Sequence, residues 1–144
     1  MRQSSTNSAS GAQGFAFRLD AHSGVPVYRQ LIDQVLGAVA TSTLRTGDQL
    51  PTVRQVAVDL AINPNTVMRA YREMEIRGIL DTQQGAGTFI AEQQALVPKE
   101  ERERQLVQLA DEFVARAGRL GFTLAELQEK LRQMDEEAGT RRQS

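Results

Sequence analysis

The sequence predicts a mainly α-helical protein with one small β-hairpin. Three helices and the hairpin form its N-terminal part, and two further helices form its C-terminal part. Two observations lead to this prediction. Apolar residues recur at helical spacing in five stretches between Pro26 and the C-terminal region. Between the third and fourth stretches, a glycine-rich tetrapeptide separates two short runs of β-favouring residues, which is typical of a hairpin.

The composition excludes several classes of function. The chain has 144 residues, no cysteine and a single histidine, His22. Disulfide frameworks, thiolate zinc sites, iron–sulfur clusters and cysteine nucleophiles are therefore excluded, and no metal or cofactor is expected. No Ser/His/Asp set or pair of carboxylates in a cleft can be assembled, so the protein is not expected to be an enzyme. Without a membrane-spanning run or a secretory signal, it is expected in the cytoplasm.

The charge is nearly balanced. The formal net charge is −1 and the pI is near 5.9. Residues 26–91 contain six basic and six acidic residues, and residues 92–144 have a net charge of −2. Because a nucleic-acid-binding protein is commonly basic overall, any such function here must depend on where individual cations lie.

The N-terminal part begins with a polar stretch. Residues 1–14 are mostly Ser, Gln, Asn and Gly, and they are predicted to be a disordered tail. In residues 15–20, apolar and polar residues alternate weakly, so this segment is expected to be extended. The first helix begins at Pro26, which suits a first helical turn, and it extends toward a turn at Thr46–Asp48. Its apolar face is expected to contain Val27, Leu31, Ile32, Val35, Leu36 and Val39.

The next two helices are short and lie close together. Thr52 is the predicted N-cap of the second helix, and Asn63 is the predicted N-cap of the third, with Pro64 in its first turn. Gly78 is expected to end the third helix. Only Ala61 and Ile62 separate the two helices, which is the length of the turn in a helix-turn-helix unit.

A hairpin is predicted over residues 79–91, with its tip at Gln84–Gly87. Three helices followed by a hairpin make a winged helix-turn-helix, which we assign to residues 15–91. The glycine-rich tip is not a phosphate loop, because neither a Lys-Ser/Thr pair nor a helix follows it. Residues 92–97 are predicted to be a linker.

Residues 98–138 are predicted to form an α-helical dimerisation segment, and residues 139–144 a flexible tail. A charged stretch at residues 98–104 precedes a long helix, Gly121 and Phe122 interrupt it, and a capping box opens the last helix. Both helices have heptad spacing. The apolar stripe is expected to consist of Leu106, Ala110, Phe113, Ala117, Leu120, Leu124, Leu127, Leu131 and Met134.

The apolar stripe must pack against another surface, and the sequence allows two such surfaces. The stripe can pack on the winged helix-turn-helix of its own chain, or it can associate with a second chain. We favour association, which gives a two-fold symmetric homodimer.

The third helix has the two faces of a recognition helix. Its core face is predicted to contain Val67, Ala70, Tyr71 and Met74. The opposite face carries amide, hydroxyl and guanidinium groups, which are the types that read base edges. An ordinary solvated helix face would also be polar, and the surrounding order of helix, turn, helix and hairpin favours DNA recognition. The predicted DNA contacts are Thr52, Arg54, Asn65, Thr66, Met68, Arg69, Arg72, Gln84 and Gly85. In a two-fold dimer, two such recognition helices would bind a palindromic site in double-stranded DNA, with half-sites about one helical turn apart.

Several separated motifs resemble the GntR-type bacterial transcription regulators. They are the sequences GDQLPTVRQVA from Gly47, NPNTV from Asn63, RAY from Arg69, GIL from Gly78 and GAGTFI from Gly85. The NPNTV form and the PVY that opens the first helix resemble the YtrA subfamily in particular, as does the short two-helix C-terminal part. The resemblance covers roughly residues 15–91.

This resemblance implies DNA contacts at Arg54, Asn65, Thr66 and Gly85. Relatives outside the subfamily often have arginine at the positions of Pro64 and Met68, so Arg69 and Arg72 are expected to carry more of the base readout here. It also implies repression of the protein's own operon and of a neighbouring operon, such as one for an ABC transporter. Residues 92–144 leave no room for a separate effector domain, so any effector would bind at the dimer interface or between the two domains.

An alternative function is compatible with the neutral charge. A winged helix can serve only as a protein-interaction module, with the acidic C-terminal helices as its docking surface. Replacing Arg69 with alanine distinguishes the two functions, because only a DNA-binding protein would lose operator affinity while it stays folded.

Overall fold

The computed structural model describes residues 15–92 and 97–143. The predicted disordered tail over residues 1–14 and most of the predicted linker, residues 93–96, lie outside the described residues. The described residues divide into two compact units, residues 15–92 with 138–143, and residues 97–137.

The first unit contains three helices and a three-stranded antiparallel sheet, as a winged helix-turn-helix requires. The helices are α1 (Val27–Ala40), α2 (Val53–Leu60) and α3 (Pro64–Ile76). The strands are β1 (Gln49–Leu50), β2 (Leu80–Gln83) and β3 (Gly87–Ile90), in the order β1-β3-β2. The predicted mainly α-helical class with a small hairpin is therefore confirmed.

Two details of this unit differ from the prediction. The sequence analysis did not identify β1, in which Gln49 pairs with Phe89 and Leu50 with Thr88. Two residues are too few to show the alternation that identifies a strand. In addition, α1 ends at Ala40, before the turn at Thr46–Asp48 that was expected to end it.

The ends of α2 and α3 are fixed by the predicted caps. Thr52 Oγ1 accepts a hydrogen bond from the Gln55 backbone N–H, and the Gln55 side chain accepts one from the Thr52 N–H, which makes a capping box. Asn63 Oδ1 accepts from the Asn65 N–H at 2.8 Å. Between the helices, Ala61 adopts the left-handed conformation, with φ 54° and ψ 48°. The chain therefore reverses within two residues, and α3 packs directly beside α2.

One apolar cluster forms the core of this unit. All four residues predicted for the core face of α3 are buried, which confirms that assignment. They pack against α1, whose buried residues are Leu31, Ile32, Val35 and Ala38. Leu36, which was expected on the apolar face of α1, is exposed instead.

The segment that precedes α1 also belongs to the core. Phe15 and Phe17 are buried, and their rings meet edge to face with centroids 4.9 Å apart. Two glutamines of α1 hold the segment. The Gln34 side chain bonds both the N–H and the carbonyl of Arg18, and the Gln30 side chain bonds both backbone groups of Asp20. Each amide therefore supplies the donor and the acceptor that a neighbouring strand would otherwise supply.

The C-terminal helices are α4 (Lys99–Arg119) and α5 (Leu124–Gln143). The charged stretch at residues 98–104, predicted to precede the helix, is helical from Lys99 onward. The last helix continues past Gly139, where a flexible tail was predicted to begin. Within the described ranges, no helix combines the length and the apolar character needed to cross a membrane.

The break between α4 and α5 lies where the sequence predicted it. Gly121 has a positive φ of 86°, and the Phe122 N–H donates to the Ala117 carbonyl at 2.8 Å. This is the hydrogen bond of a Schellman motif, which needs a left-handed residue and favours glycine. Thr123 and Glu126 then form the predicted capping box.

Candidate nucleic-acid interface

Helix α3 is held in position by a buried hydrogen bond. The Tyr71 hydroxyl donates to the Pro51 carbonyl at 2.5 Å, and thus ties the middle of α3 to the residues just before α2. Burial raises the pKa of Tyr71 above its usual range, so the hydroxyl keeps its proton and remains a donor. The orientation of the recognition helix therefore depends on this bond as well as on apolar packing.

The exposed face of α3 forms a shallow, open groove. Four residues predicted to contact DNA line it together with two others, and the six are Asn65, Met68, Arg69, Arg72, Glu73 and Ile76. The groove thus combines an amide, two guanidinium groups and apolar side chains on one helix face. This mixture suits the edges of base pairs, which present donors, acceptors and the thymine methyl group.

Arg69 makes a contact that the sequence analysis did not predict. Its guanidinium carbon lies 3.8 Å from the centre of the Tyr28 ring, in the first turn of α1. Tyr28 is half-buried and packs against the core cluster. The sequence contains Tyr28 in the PVY motif, but no spacing rule connects it to Arg69, because the two residues are on different helices.

The other charges of α3 are arranged differently. Arg72 is exposed on the groove, whereas Arg77 pairs with Glu73, one turn before it, at 3.0 Å. This ion pair neutralises the acidic residue that lines the groove. As a result, Arg69 and Arg72 dominate the charge of the groove although residues 26–91 are neutral overall.

Two predicted contacts lie at the start of α2, outside the groove of α3. The Thr52 hydroxyl is engaged as the N-cap, and Arg54 is exposed in the first turn. Thr66, in the first turn of α3, is half-buried, and its N–H donates to the Asn63 carbonyl. Thr52 thus has a structural role in addition to the predicted DNA contact.

The wing presents the last two predicted contacts. Gln84 and Gly85 are exposed at the tip between β2 and β3. Gln49 of β1 steadies this tip, because its side-chain amide donates to the Ala86 carbonyl at 3.2 Å. Gly87 has a φ of 130°, a backbone conformation that residues with a side chain rarely adopt, and a Cβ there would also meet the end of the Gln49 side chain.

The predicted apolar stripe of α4 and α5 is largely exposed. Phe113 is 52% exposed and Leu120 is 65% exposed, while Leu131 and Met134 are each about half exposed. Only Ala117 among the nine predicted stripe residues is buried, and Leu127 is half-buried. Contiguous exposed apolar surface is typical of the interaction sites of proteins.

The chain is similar to known regulatory proteins. The family model described as "Bacterial regulatory proteins, gntR family" matches residues 27–90. The HTH-type transcriptional regulator YhcF of Bacillus subtilis is 38% identical over 114 residues, which are 79% of this chain and 93% of that protein. The HTH-type transcriptional repressor YtrA of the same organism is 32% identical over 117 residues, 81% of this chain and 90% of that protein.

A solved structure supports the same relationship. The crystal structure of a transcriptional regulator from Oenococcus oeni is 34% identical, with a TM-score of 0.52, and the match covers 81% of this chain and 96% of that one. These similarities agree with the arrangement of α2, α3 and the wing described above. Neither these proteins nor the family model supports the alternative of a protein-interaction module.

Proposed function

Since this chain belongs to the GntR family and is a DNA-binding transcriptional regulator, we propose that it acts as a homodimeric repressor on a palindromic operator. The observation that carries this proposal is the exposed groove of α3, which combines an amide and two guanidinium groups. Asn65 and Arg72 are suited to adenine and guanine edges, respectively, and Met68 to a thymine methyl group. Arg54 and Thr52 would contact phosphates, and Gln84 and Gly85 would approach the minor groove.

The stripe of α4 and α5 supports the homodimer. Half-exposed leucine, phenylalanine and methionine side chains along two helices are costly to leave in water, and a second copy offers a surface of the same kind. A two-fold axis would then present two α3 helices to successive turns of the major groove, which a palindromic site matches.

The proposal also includes repression of transcription and a cytoplasmic location of the protein. By its name, the relative YtrA is a repressor. A dimer of this kind, bound in the cytoplasm to chromosomal DNA beside its own gene, would block transcription of its own and a neighbouring operon.

The test is a selection of duplexes from a randomised library by the purified chain, followed by fluorescence anisotropy in a salt series. The selected duplex is compared with a scrambled one and with the region upstream of the gene, and sedimentation gives the stoichiometry. We expect a palindromic consensus, two chains per duplex and tighter binding to the selected duplex than to the scrambled one. Equal, weak and steeply salt-dependent binding to both duplexes would overturn the proposal.

A further inference from the structure

We propose that Tyr28 is a positioning residue that braces Arg69 as a clamp for a backbone phosphate, so that Arg69 contributes affinity while Asn65 and Arg72 read the bases. This inference rests on the proposed function. It changes the role that the sequence predicts for Arg69, from base readout to phosphate binding. The stacking of Arg69 on Tyr28 carries it.

The partner of Arg69 preserves its charge. On α3, Glu73 lies one turn after Arg69 and one turn before Arg77, so it can pair with either arginine. The ion pair forms with Arg77, and within residues 15–92 and 97–143 no acidic side chain pairs with Arg69. A carboxylate would neutralise the guanidinium, whereas an aromatic ring holds it and leaves the charge intact.

The stack also leaves the donors of Arg69 available. A guanidinium is planar and carries its N–H groups around its edge, so a ring on one face covers none of them. Tyr28 is itself fixed, because it is half-buried against the core at the start of α1. Arg69 therefore loses less side-chain entropy when it binds an anion, because the stack on Tyr28 already restricts its side chain.

The direction of the Arg69 side chain favours a phosphate over a base. With about 3.6 residues per turn, Asn65 lies almost directly opposite the buried face of α3, and Arg69 and Arg72 lie about 30° to either side of it. The contact with Tyr28 turns the Arg69 guanidinium away from the centre of this face and toward α1. In a major groove, the part of a helix farthest from the protein core meets base edges, and its sides meet the sugar–phosphate strands.

The test measures binding of the full chain to the selected and scrambled duplexes across a salt series. We expect Arg69→Gln to weaken binding to both duplexes by a similar factor and to reduce the salt slope by about 1. The ratio of the two affinities should stay unchanged. Arg72→Ala is the matched control, and it should reduce that ratio by about tenfold or more.

A double-mutant cycle tests the role of Tyr28. Tyr28→Leu should weaken binding about two- to fivefold in the native background and have no further effect in the Arg69→Gln background. Tyr28→Phe keeps the aromatic face and should bind as the native chain does. Circular dichroism checks that each variant is folded, and Arg69→Gln remains a test of the clamp if Tyr28→Leu does not fold.

Three results would overturn the inference while leaving the proposed function intact. The affinity ratio could fall in Arg69→Gln as it does in Arg72→Ala, which would make Arg69 a base reader. The salt slope could stay unchanged in Arg69→Gln, or Tyr28→Leu could weaken binding equally in both backgrounds. Failure of the native chain to prefer any selected duplex would instead overturn the proposed function, and the inference with it.

Discussion

The winged helix-turn-helix and the C-terminal helices bury their apolar residues to very different extents. Residues 15–90 contribute every member of a single core cluster, including the fully buried Leu31, Val67 and Met74. Helices α4 and α5, although longer, bury only Ala117 and Ala138. Both regions are helical at similar apolar spacing, so the spacing alone does not tell whether a face is covered by its own chain.

The stability of the two regions therefore has different sources. The winged helix-turn-helix closes its core from its own residues, including two phenylalanines that precede the first helix. The C-terminal helices have well-formed ends at Gly121 and Thr123 but no comparable core. Since most helical stability in proteins comes from packing, we expect their stability to depend on protein concentration.

A charge on the stripe should have the largest effect. Phe113→Glu would place a carboxylate twice in a two-fold interface, and we expect the dissociation constant of the dimer to rise by about a hundredfold or more. Leu131→Glu should act in the same way on α5. Sedimentation across a concentration series would then show monomers, and operator binding would weaken.

Ala115→Glu is the control for this change. Ala115 is exposed on α4, opposite the stripe, and should tolerate the charge without a change in assembly. Dimers that persist in Phe113→Glu at the native dissociation constant would mean that the stripe is not the interface.

A cavity in the core should have the next largest effect, and it should not depend on concentration. Met74 is fully buried, and Met74→Ala should lower the free energy of unfolding by about 2–5 kcal/mol in urea titrations. Met68→Ala is the matched control on the same helix, because Met68 is 45% exposed and its loss should cost less than about 0.5 kcal/mol. Equal losses in the two variants would show that the burial of Met74 does not contribute to the stability of this unit.

Removing the Tyr71 hydroxyl tests the polar anchor of the core. Tyr71→Phe leaves the Pro51 carbonyl without its donor, and we expect a loss of about 1–2 kcal/mol in the free energy of unfolding at neutral pH. Because burial raises the pKa of Tyr71, the unfolded chain ionises this residue at a lower pH than the folded one does. The stability it contributes is therefore full below about pH 10 and falls as the pH rises further.

Urea titrations at neutral and alkaline pH check this prediction. The native chain should lose more stability at alkaline pH than Tyr71→Phe does. Tyr28→Phe controls for the removal of a phenol hydroxyl elsewhere. An alkaline loss of the same size in the native chain and in Tyr71→Phe would show that Tyr71 does not contribute to it.

The smallest expected effect is a gain. Ala61 has a left-handed conformation in the turn between α2 and α3, which favours glycine, so Ala61→Gly should stabilise the fold by about 0.5–1 kcal/mol. Ala115→Gly, in an exposed part of α4, should destabilise by a similar amount. Thermal melting measures both, and a lower melting temperature for Ala61→Gly would contradict the strain inferred at this turn.

Much of the fold could be predicted because its signals are local. The N-caps at Thr52, Asn63 and Thr123 can each be recognised from about four consecutive residues of the sequence, and all three are confirmed. Strand β1 was missed because its evidence is the pairing of Gln49 with the distant Phe89. The start of α4 was missed because charged residues at an exposed helix start carry no apolar periodicity.

The site could be predicted by residue type but not by contact. The face of α3 that carries Asn65, Arg69 and Arg72 follows from helical spacing. The stack of Arg69 on Tyr28 and the hydrogen bond from Gln49 to Ala86 each join residues that are far apart in the sequence. The periodicity of a single sequence does not reveal such pairs. The predicted roles in DNA contact remain predictions.

The glutamines of α1 have a consequence for where the folding unit begins. The family model starts at residue 27, whereas Gln30 and Gln34 fasten residues 18–20, and Phe15 and Phe17 complete the core. A fragment cut to residues 27–90 would retain the recognisable motifs and lose two aromatic rings from its interior. The region that the family model matches and the region that must fold together thus have different borders, and a stable isolated domain needs the earlier start.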